Sequence, residues 1–286
     1  MLLRKSPAAD HRPPTIRFLL PATHFLLPAI HFLLPAICFL LFALCLVSCS
    51  RADALDRVRA SGVLRVGMDA SFPPFEFWDG EGNLVGFDVD LGREIAARLG
   101  VRAEFVANLS YDGLYDALTA EQVDIVISAL YVDPMRMADF AYSYSYFNAG
   151  QVLVVPVDGG EVREMADLSG RTLAVEWGSE GDVVARTWAR RLTGMTVIPC
   201  QSVEEVLARV VAGEADAALV DHLSARLGIG QGLPLRVAGD PVTDEPYAIA
   251  VRRQDSALLR VVNEILTAME TDGTLSQLRR QWLGGE

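Results

Sequence analysis

Chemistry in this chain has to be done with carboxylates, arginines and hydroxyls. From Cys49 onward there is no lysine, His222 is the only histidine, and Cys49 and Cys200 are the only cysteines. A P-loop needs a lysine on the β- and γ-phosphates and a Schiff base needs one as nucleophile, so both are excluded. A histidine and cysteine zinc cluster, a Ser-His-Asp arrangement with a choice of bases, and a disulfide framework are excluded on the same grounds. What remains is 21 arginines against 36 aspartates and glutamates, a balance of −15 over that stretch. So acidic a body argues against binding a phosphate backbone. No nucleic-acid partner, metal or cofactor is expected. Carboxyls such as Asp69, Glu176 or Glu180 could donate protons if burial raised their pKa values, although nothing in the sequence demands that use.

Cys49 is the other residue with chemistry of its own. Residues 1–48 open with Arg4, Lys5, Arg12 and Arg17 against a lone Asp10, run almost entirely apolar from Phe18 to Val47, and lead into Leu46-Val47-Ser48-Cys49-Ser50. This reads as a lipoprotein export signal over 1–48, with a lipobox cysteine that is acylated and becomes the new N-terminus. The competing reading is a membrane-spanning anchor, since ~20 apolar residues cross a bilayer. Pro21, Pro28 and Pro35 interrupt the run and leave only Ala36 to Val47 unbroken, the length of a signal h-region. They belong to a repeat, Phe18-Leu-Leu-Pro-Ala-Thr-His24, Phe25-Leu-Leu-Pro-Ala-Ile-His31 and Phe32-Leu-Leu-Pro-Ala-Ile-Cys38. Each proline removes a helical hydrogen bond, so the repeat is a poor coiled coil and reads as an expanded, disposable leader. Residues 49–60 are then a tether from the membrane to the body.

The 286-residue length amounts to about two domains at ~150 residues each. Val63 to Met68 reads as a strand, and Phe75 to Trp78 with Leu84-Val85 as a hairpin. Leu91, Ile95 and Leu99 recur at helical spacing and Gly100 stops that helix. Strand-like Ala103 to Val106, a helix around Leu114 to Leu118 and strand-like Asp124 to Ile127 follow. After Gly150 a second series sets strands at Val152 to Val155, Thr172 to Val175, Thr196 to Ile198 and Asp216 to Val220. Helices at Val183 to Arg191 and Val203 to Ala212 lie between them. A strand over Tyr247 to Val251 and helices over Leu258 to Met269 and Leu275 to Trp282 close the chain. This βαβ alternation predicts parallel sheets covered by helices, in two α/β lobes. Open α/β sheets bind ligands at the carboxyl ends of their strands, which puts a ligand in the cleft between two facing lobes.

At Gly86-Phe-Asp-Val-Asp-Leu91, with Ile95, Ala96 and Leu99 behind it, the sequence resembles the family-3 extracellular solute-binding proteins, the polar amino-acid receptors of ABC importers. Met68-Asp-Ala-Ser-Phe-Pro-Pro-Phe-Glu76, Asp124-Ile-Val-Ile-Ser-Ala-Leu130 with Arg136, and Asp272-Gly-Thr-Leu followed by Trp282 support it in the same order and spacing. The resemblance covers Val63 to Trp282. It implies a two-lobed, type II periplasmic-binding-protein-like α/β fold, with lobe 1 over 61–148 plus 246–286 and lobe 2 over 149–245. Two segments near Asn148 to Gln151 and Thr243 to Pro246 would cross between lobes as a hinge. Such receptors close around their ligand and present the closed form to the permease. The implied partners are a free amino acid, the permease subunits of an ABC importer, and the membrane through the lipid on Cys49. The implied protein is an extracytoplasmic monomer, in the periplasm or at the cell surface.

The resemblance also implies the site. Arg136 matches the arginine for the ligand's α-carboxylate, where a planar guanidinium grips both oxygens; otherwise it pairs with Asp133 or Asp139 at the surface. Asp221 matches the acceptor for the α-ammonium, or else caps the following helix. Ser128 and Ala129 would add a hydroxyl and a carbonyl to the ammonium contacts, and Ser179 and Glu180 lie in the Gly178 to Gly181 loop whose N–H groups suit a carboxylate. Phe72 and Tyr111 match an aromatic sandwich for the side chain, or else belong to the core. Asp69, with Glu76 nearby, tilts the ligand toward Lys, Arg, His or Gln. Tyr131 stands where a small or hydroxyl residue is usual, Asp133 replaces a usual Thr, and Glu180 stands where a Thr is common with Asp182 close behind. Such carboxylates must face solvent or meet a cation. Two other functions share the fold: a dehydratase of the cyclohexadienyl type with a carboxyl acid in the cleft, and a sensor subunit for a signalling partner.

Overall fold

The computed structural model describes residues 53–159 and 162–284; Cys49, the leader repeat and the export signal lie outside them. Helix α1 (Ala54–Ser61) leads into strand β1 (Val63–Gly67) and a small antiparallel trio, β2 (Ser71–Phe72), β3 (Glu76–Trp78) and β4 (Leu84–Val85). Helix α2 (Phe87–Leu99), β5 (Arg102–Val106), α3 (Leu114–Thr119), β6 (Ile125–Val126) and β7 (Phe140–Asn148) complete the first run. The second run is β8 (Gln151–Pro156), β9 (Thr172–Glu176), α4 (Glu180–Ala189), β10 (Thr196–Cys200), α5 (Val203–Val211), β11 (Ala217–Asp221), α6 (His222–Gly230) and β12 (Leu235–Ala238). The chain then returns through β13 (Pro246–Arg252) and ends in α7 (Ser256–Thr271) and α8 (Thr274–Leu283).

Two five-stranded sheets result, ordered β5-β1-β6-β13-β7 and β10-β9-β11-β8-β12. They are mixed rather than parallel, which corrects the sequence expectation. In the first sheet β5, β1 and β6 are parallel while β13 runs against both β6 and β7. In the second, β10, β9 and β11 are parallel and β8 runs against β11 and β12. The reason is topological. A strand that enters a lobe from the crossing starts at the end where the parallel strands finish, so it must run against them.

The elements follow from local chemistry. Helix α2 buries Phe87, Leu91 and Ile95 on one face, and Gly100 ends it with φ 75°. Gly86 begins it at φ 134°, where a Cβ would lie 2.1 Å from the Phe75 carbonyl oxygen; only glycine fits. Leu64, Val66, Ile125 and Ile249 pack with α2 and α7 residues on one side of the first sheet, and Leu114, Leu118 and Val126 form a second core on the other. The second sheet is likewise covered on both faces, by Val206, Leu207 and Val210 of α5 and by Ala185 of α4.

The chain crosses between the sheets at Ala149-Gly150 and again before Pro246. There the Ala149 N–H donates to the Glu245 carbonyl (2.9 Å) and the Gln151 N–H to Thr243 Oγ1 (2.8 Å). A Cβ on Gly150 would sit 2.0 Å from the Thr243 oxygen, so the close approach of the two segments requires glycine.

The expected tether over 49–60 is not extended where it is described. Ala54, Leu55 and Val58 of α1 are buried, Ala54 N–H donates to Asp255 Oδ1 (3.2 Å) and Ala257 N–H to Asp53 Oδ2 (3.3 Å). Reciprocal capping with α7 holds it. Strands β2, β7 and β12 have no counterpart in the sequence reading, and α6 enters it only as the helix that Asp221 would cap. In β7 the register shifts at two places against β13, and its burial alternation, the only local strand signal, is lost there. Among the described residues no helix is long and apolar enough to cross a membrane.

Candidate functional site

Asp69 follows β1, Tyr111 follows β5, and Ser128 and Ala129 follow β6, all at carboxyl ends of parallel strands. With Ser71, Phe72, Glu76, Tyr131 and Tyr247 they line one cavity of about 350 Å3. Phe72, Tyr111 and Tyr131 are 43%, 42% and 44% exposed, which separates them from core aromatics such as Phe75 and Phe87 at 0%. Phe72 stacks on Phe75 (centroids 5.7 Å, planes 6° apart) and Tyr131 stands edge-on to Tyr247 (4.9 Å). Asp69 is oriented by the Tyr111 N–H, which donates to Oδ2 (3.0 Å), while its own N–H donates to Ser128 Oγ (3.0 Å).

Beneath the cavity lies a buried acid network. The Ser128 hydroxyl donates to Glu76 Oε1 (2.6 Å), and the Ala129 N–H and Tyr146 hydroxyl donate to Asp88 Oδ2 (2.6 and 3.0 Å). Glu76 is 1% exposed and Asp88 fully buried. Burial, then the Asp88 carboxylate beside it, raise Glu76 far above the ordinary carboxyl range. Asp88 is also raised by burial, opposed by the Ala129 N–H and Tyr146 hydroxyl that donate to it and by Glu76 beside it. Ala129 adopts φ 41°, a conformation held by the bond from its N–H to Asp88.

Arg136 lines an adjoining cavity of about 340 Å3 that shares Tyr111 and Tyr131 with the first. Its guanidinium lies over the Tyr115 ring, 4.2 Å from the centroid, and Nε sits 3.3 Å from Asp133 Oδ2. The surface pairing with Asp133 therefore exists, and it holds Arg136 beside the cavity rather than away from it.

In the second sheet Ser179 and Asp221 are helix caps. Ser179 Oγ accepts from the Asp182 N–H (3.2 Å) and donates to the Glu176 carbonyl (2.8 Å); Asp221 Oδ1 accepts from the Ser224 N–H (2.8 Å). The cap reading of Asp221 is thus realised, and its second oxygen is not used by the cap. Asp182 meets a cation, Arg186, at 2.7 Å, and takes the Gly178 N–H (3.2 Å), so the start of α4 is partly filled by the protein's own carboxylate. Glu180 is exposed and meets Glu245. A hydrogen bond with Glu180, then burial and the charges of Glu180 and Asp221, push Glu245 up to about 7, and Tyr131 bonds to the same carboxyl. Glu245 thereby links Glu180 and Asp221 of the second run to Tyr131 of the first.

Tyr247, Glu245 and Asp88 are functional neighbours that the sequence reading did not single out. Tyr247 and Glu245 flank the second crossing, and only their place beside it signals a role. His222 belongs to the crossing rather than to the cavity. Its ring stacks on Phe147 (5.0 Å), its Nδ1–H donates to the Asn148 carbonyl (2.8 Å), and burial lowers its pKa. Among the described residues no group of three or more His, Cys, Asp or Glu could hold a metal ion.

The lysine/arginine/ornithine-binding periplasmic protein of Escherichia coli K12 is 30% identical over 229 residues, covering 77% of this chain and 86% of the relative. The crystal structure of an ancestral cyclohexadienyl dehydratase is similar with a TM-score of 0.71 at 27% identity, over 82% of this chain and 97% of that one. An ancestral cationic amino-acid solute-binding protein is similar with a TM-score of 0.57 at 33% identity, over 80% and 99%. The profile of one family matches residues 64–285, nearly all of the described body, and the chain belongs to the bacterial extracellular solute-binding proteins, family 3.

Proposed function

We propose that the chain is a lipid-anchored receptor that binds one free amino acid with a cationic or polar side chain and delivers it to the permease of an ABC importer. The observation that carries the ligand class is charge placement. Asp69 and Ser128 line the first cavity, Asp221, Glu180 and Glu245 gather at the crossing, and among the described residues Arg136 is the one arginine lining either of the two adjoining cavities. One arginine suits one α-carboxylate, and the acids outnumber what a single ammonium requires. The Phe72, Tyr111 and Tyr131 faces suit an aliphatic stem ending in a cation.

In this reading Arg136 grips the carboxylate, Asp221 and Ser128 accept from the ammonium, and Asp69 reaches the far end of the side chain. Ala129 adds a carbonyl, and Ser179 and Glu180 close over the ligand from the second lobe. Lobe 1 comprises 61–148 plus 246–286 and lobe 2 comprises 149–245; residues 1–48 are removed on export and Cys49 carries the lipid. The α1 contacts shorten the tether to the few residues before Asp53. The receptor acts as a monomer.

Calorimetry of the purified body against the common amino acids tests the proposal. Binding of one ligand at 1:1, unchanged on recovery, is expected; silence throughout overturns it. A second reading, proton-donating catalysis by Glu245, is favoured by its carboxyl being pushed up to about 7 beside Glu180 at the crossing, since an acid works best with a pKa near the operating pH. Turnover of a cyclohexadienyl substrate would establish it.

A further inference from the structure

Two oxygens under the cavity lack any N–H or O–H partner although both are fully enclosed, Glu76 Oε2 and Asp88 Oδ1. The other oxygen of each carboxyl is satisfied, Glu76 Oε1 by the Ser128 hydroxyl and Asp88 Oδ2 by Ala129 and Tyr146. Two buried carboxylates facing each other would repel, and two unsatisfied acceptors would each forfeit a hydrogen bond. A single proton between them removes both faults. That proton belongs on Glu76, because Asp88 holds two donors that stabilise its charge and Glu76 holds one.

The consequence falls on Ser128. A hydroxyl has one hydrogen to give and two lone pairs. The hydrogen goes to Glu76 Oε1, one lone pair takes the Asp69 N–H, and the remaining lone pair is left at the cavity that Ser128 lines. We propose that Glu76 carries the proton it shares with Asp88, and that this fixes Ser128 Oγ as an acceptor-only atom that selects an N–H-bearing cation on the ligand. The buried Asp88 charge polarises the chain Asp88, Glu76, Ser128 in the same sense. Glu76 is a positioning residue here, acting through Ser128, and the inference rests on the reading of the cavity as an amino-acid site.

The test compares the tightest-binding amino acid with its des-amino analogue, which for L-arginine is 5-guanidinopentanoate, on the whole exported body. Glu76→Met removes the acceptor and frees the Ser128 hydrogen, so the preference for the amino acid over the analogue should fall about tenfold. Glu76→Gln keeps an oxygen for Ser128 and gives an N–H to Asp88, so it should restore the preference to within about threefold of the parent. A Met variant with the parent's preference, or a Gln variant that loses it as Met does, overturns the proposal. Infrared difference spectra of parent against Glu76→Gln at neutral pH read the proton independently of any ligand and of whether the Met variant folds. A protonated-carboxyl C=O band present only in the parent is expected, and its absence overturns the proposal. If the parent binds no amino acid but shows the band, the receptor reading fails and the shared proton stands.

Discussion

Replacing Glu76 by Gln should make the protein more stable at alkaline than at acid pH relative to its parent. Glu76 is 1% exposed, and burial together with the Asp88 carboxylate raises its folded-state pKa far above the ordinary range. In the unfolded chain it titrates near ~4.3. Between those limits the folded protein holds a proton that the unfolded chain has released. Stability from this group is therefore complete below the unfolded value and falls as pH rises, by up to ~1.4 kcal/mol per pH unit. From pH 5 to pH 8 the parent should lose about 2–4 kcal/mol that a non-titrating glutamine does not lose. Titrations away from the pair are common to both proteins and largely cancel, whereas Asp88 belongs to the same coupled pair, so the difference reads the proton held by Glu76 and Asp88 together. Urea unfolding of both proteins at pH 5, 6.5 and 8, with matched m-values, measures it. A difference that does not change with pH would show that Glu76 is ionised in the folded state across that range.

Arg136→Ala should weaken amino-acid binding by ~1.5–3 kcal/mol in calorimetry, the worth of a charge-assisted bond, while the loss of its exposed Asp133 pair costs stability under ~1 kcal/mol. Unchanged affinity would remove Arg136 from the site. Asp221→Ser keeps an acceptor for the Ser224 N–H but removes the charge, so affinity should drop about tenfold with the melting temperature nearly kept; Asp221→Ala should lose a further ~1 kcal/mol of stability as the cap goes. Asp255→Ala leaves Arg252 buried without its 2.6 Å partner and frees the Ala54 N–H, for a loss of ~3–5 kcal/mol in urea unfolding. A loss below ~1 kcal/mol would mean that water reaches Arg252.

Most elements were legible because their signals are local. The Leu91, Ile95, Leu99 period with Gly100 behind it marks α2, and the apolar runs at Val152 and Thr172 mark β8 and β9. Strand β7 was not legible, since its faces are set by the irregular register with β13, whose residues lie far along the chain, as Pro246 does from Asn148. The same holds at the site. Asp69, Phe72, Tyr111, Ser128, Ala129 and Tyr131 could be picked out by motif, and the fold brings them to one cavity. Tyr247 joins that cavity only because the chain crosses back beside Tyr131.

By itself the sequence determined what chemistry is ruled out, the kinds and ends of most elements, and the family motif from Gly86 to Leu99. These depend on residue type and on spacings of a few residues, which unfolded and folded chains share. Tertiary structure decided the states of the side chains: that Asp182 meets Arg186, that Glu180 lies beside Glu245 and raises it, and that Glu76 lies buried against Asp88 under Ser128. A carboxyl's charge depends on how much water surrounds it and on which charges lie within a few ångströms. Packing, not order along the chain, sets both.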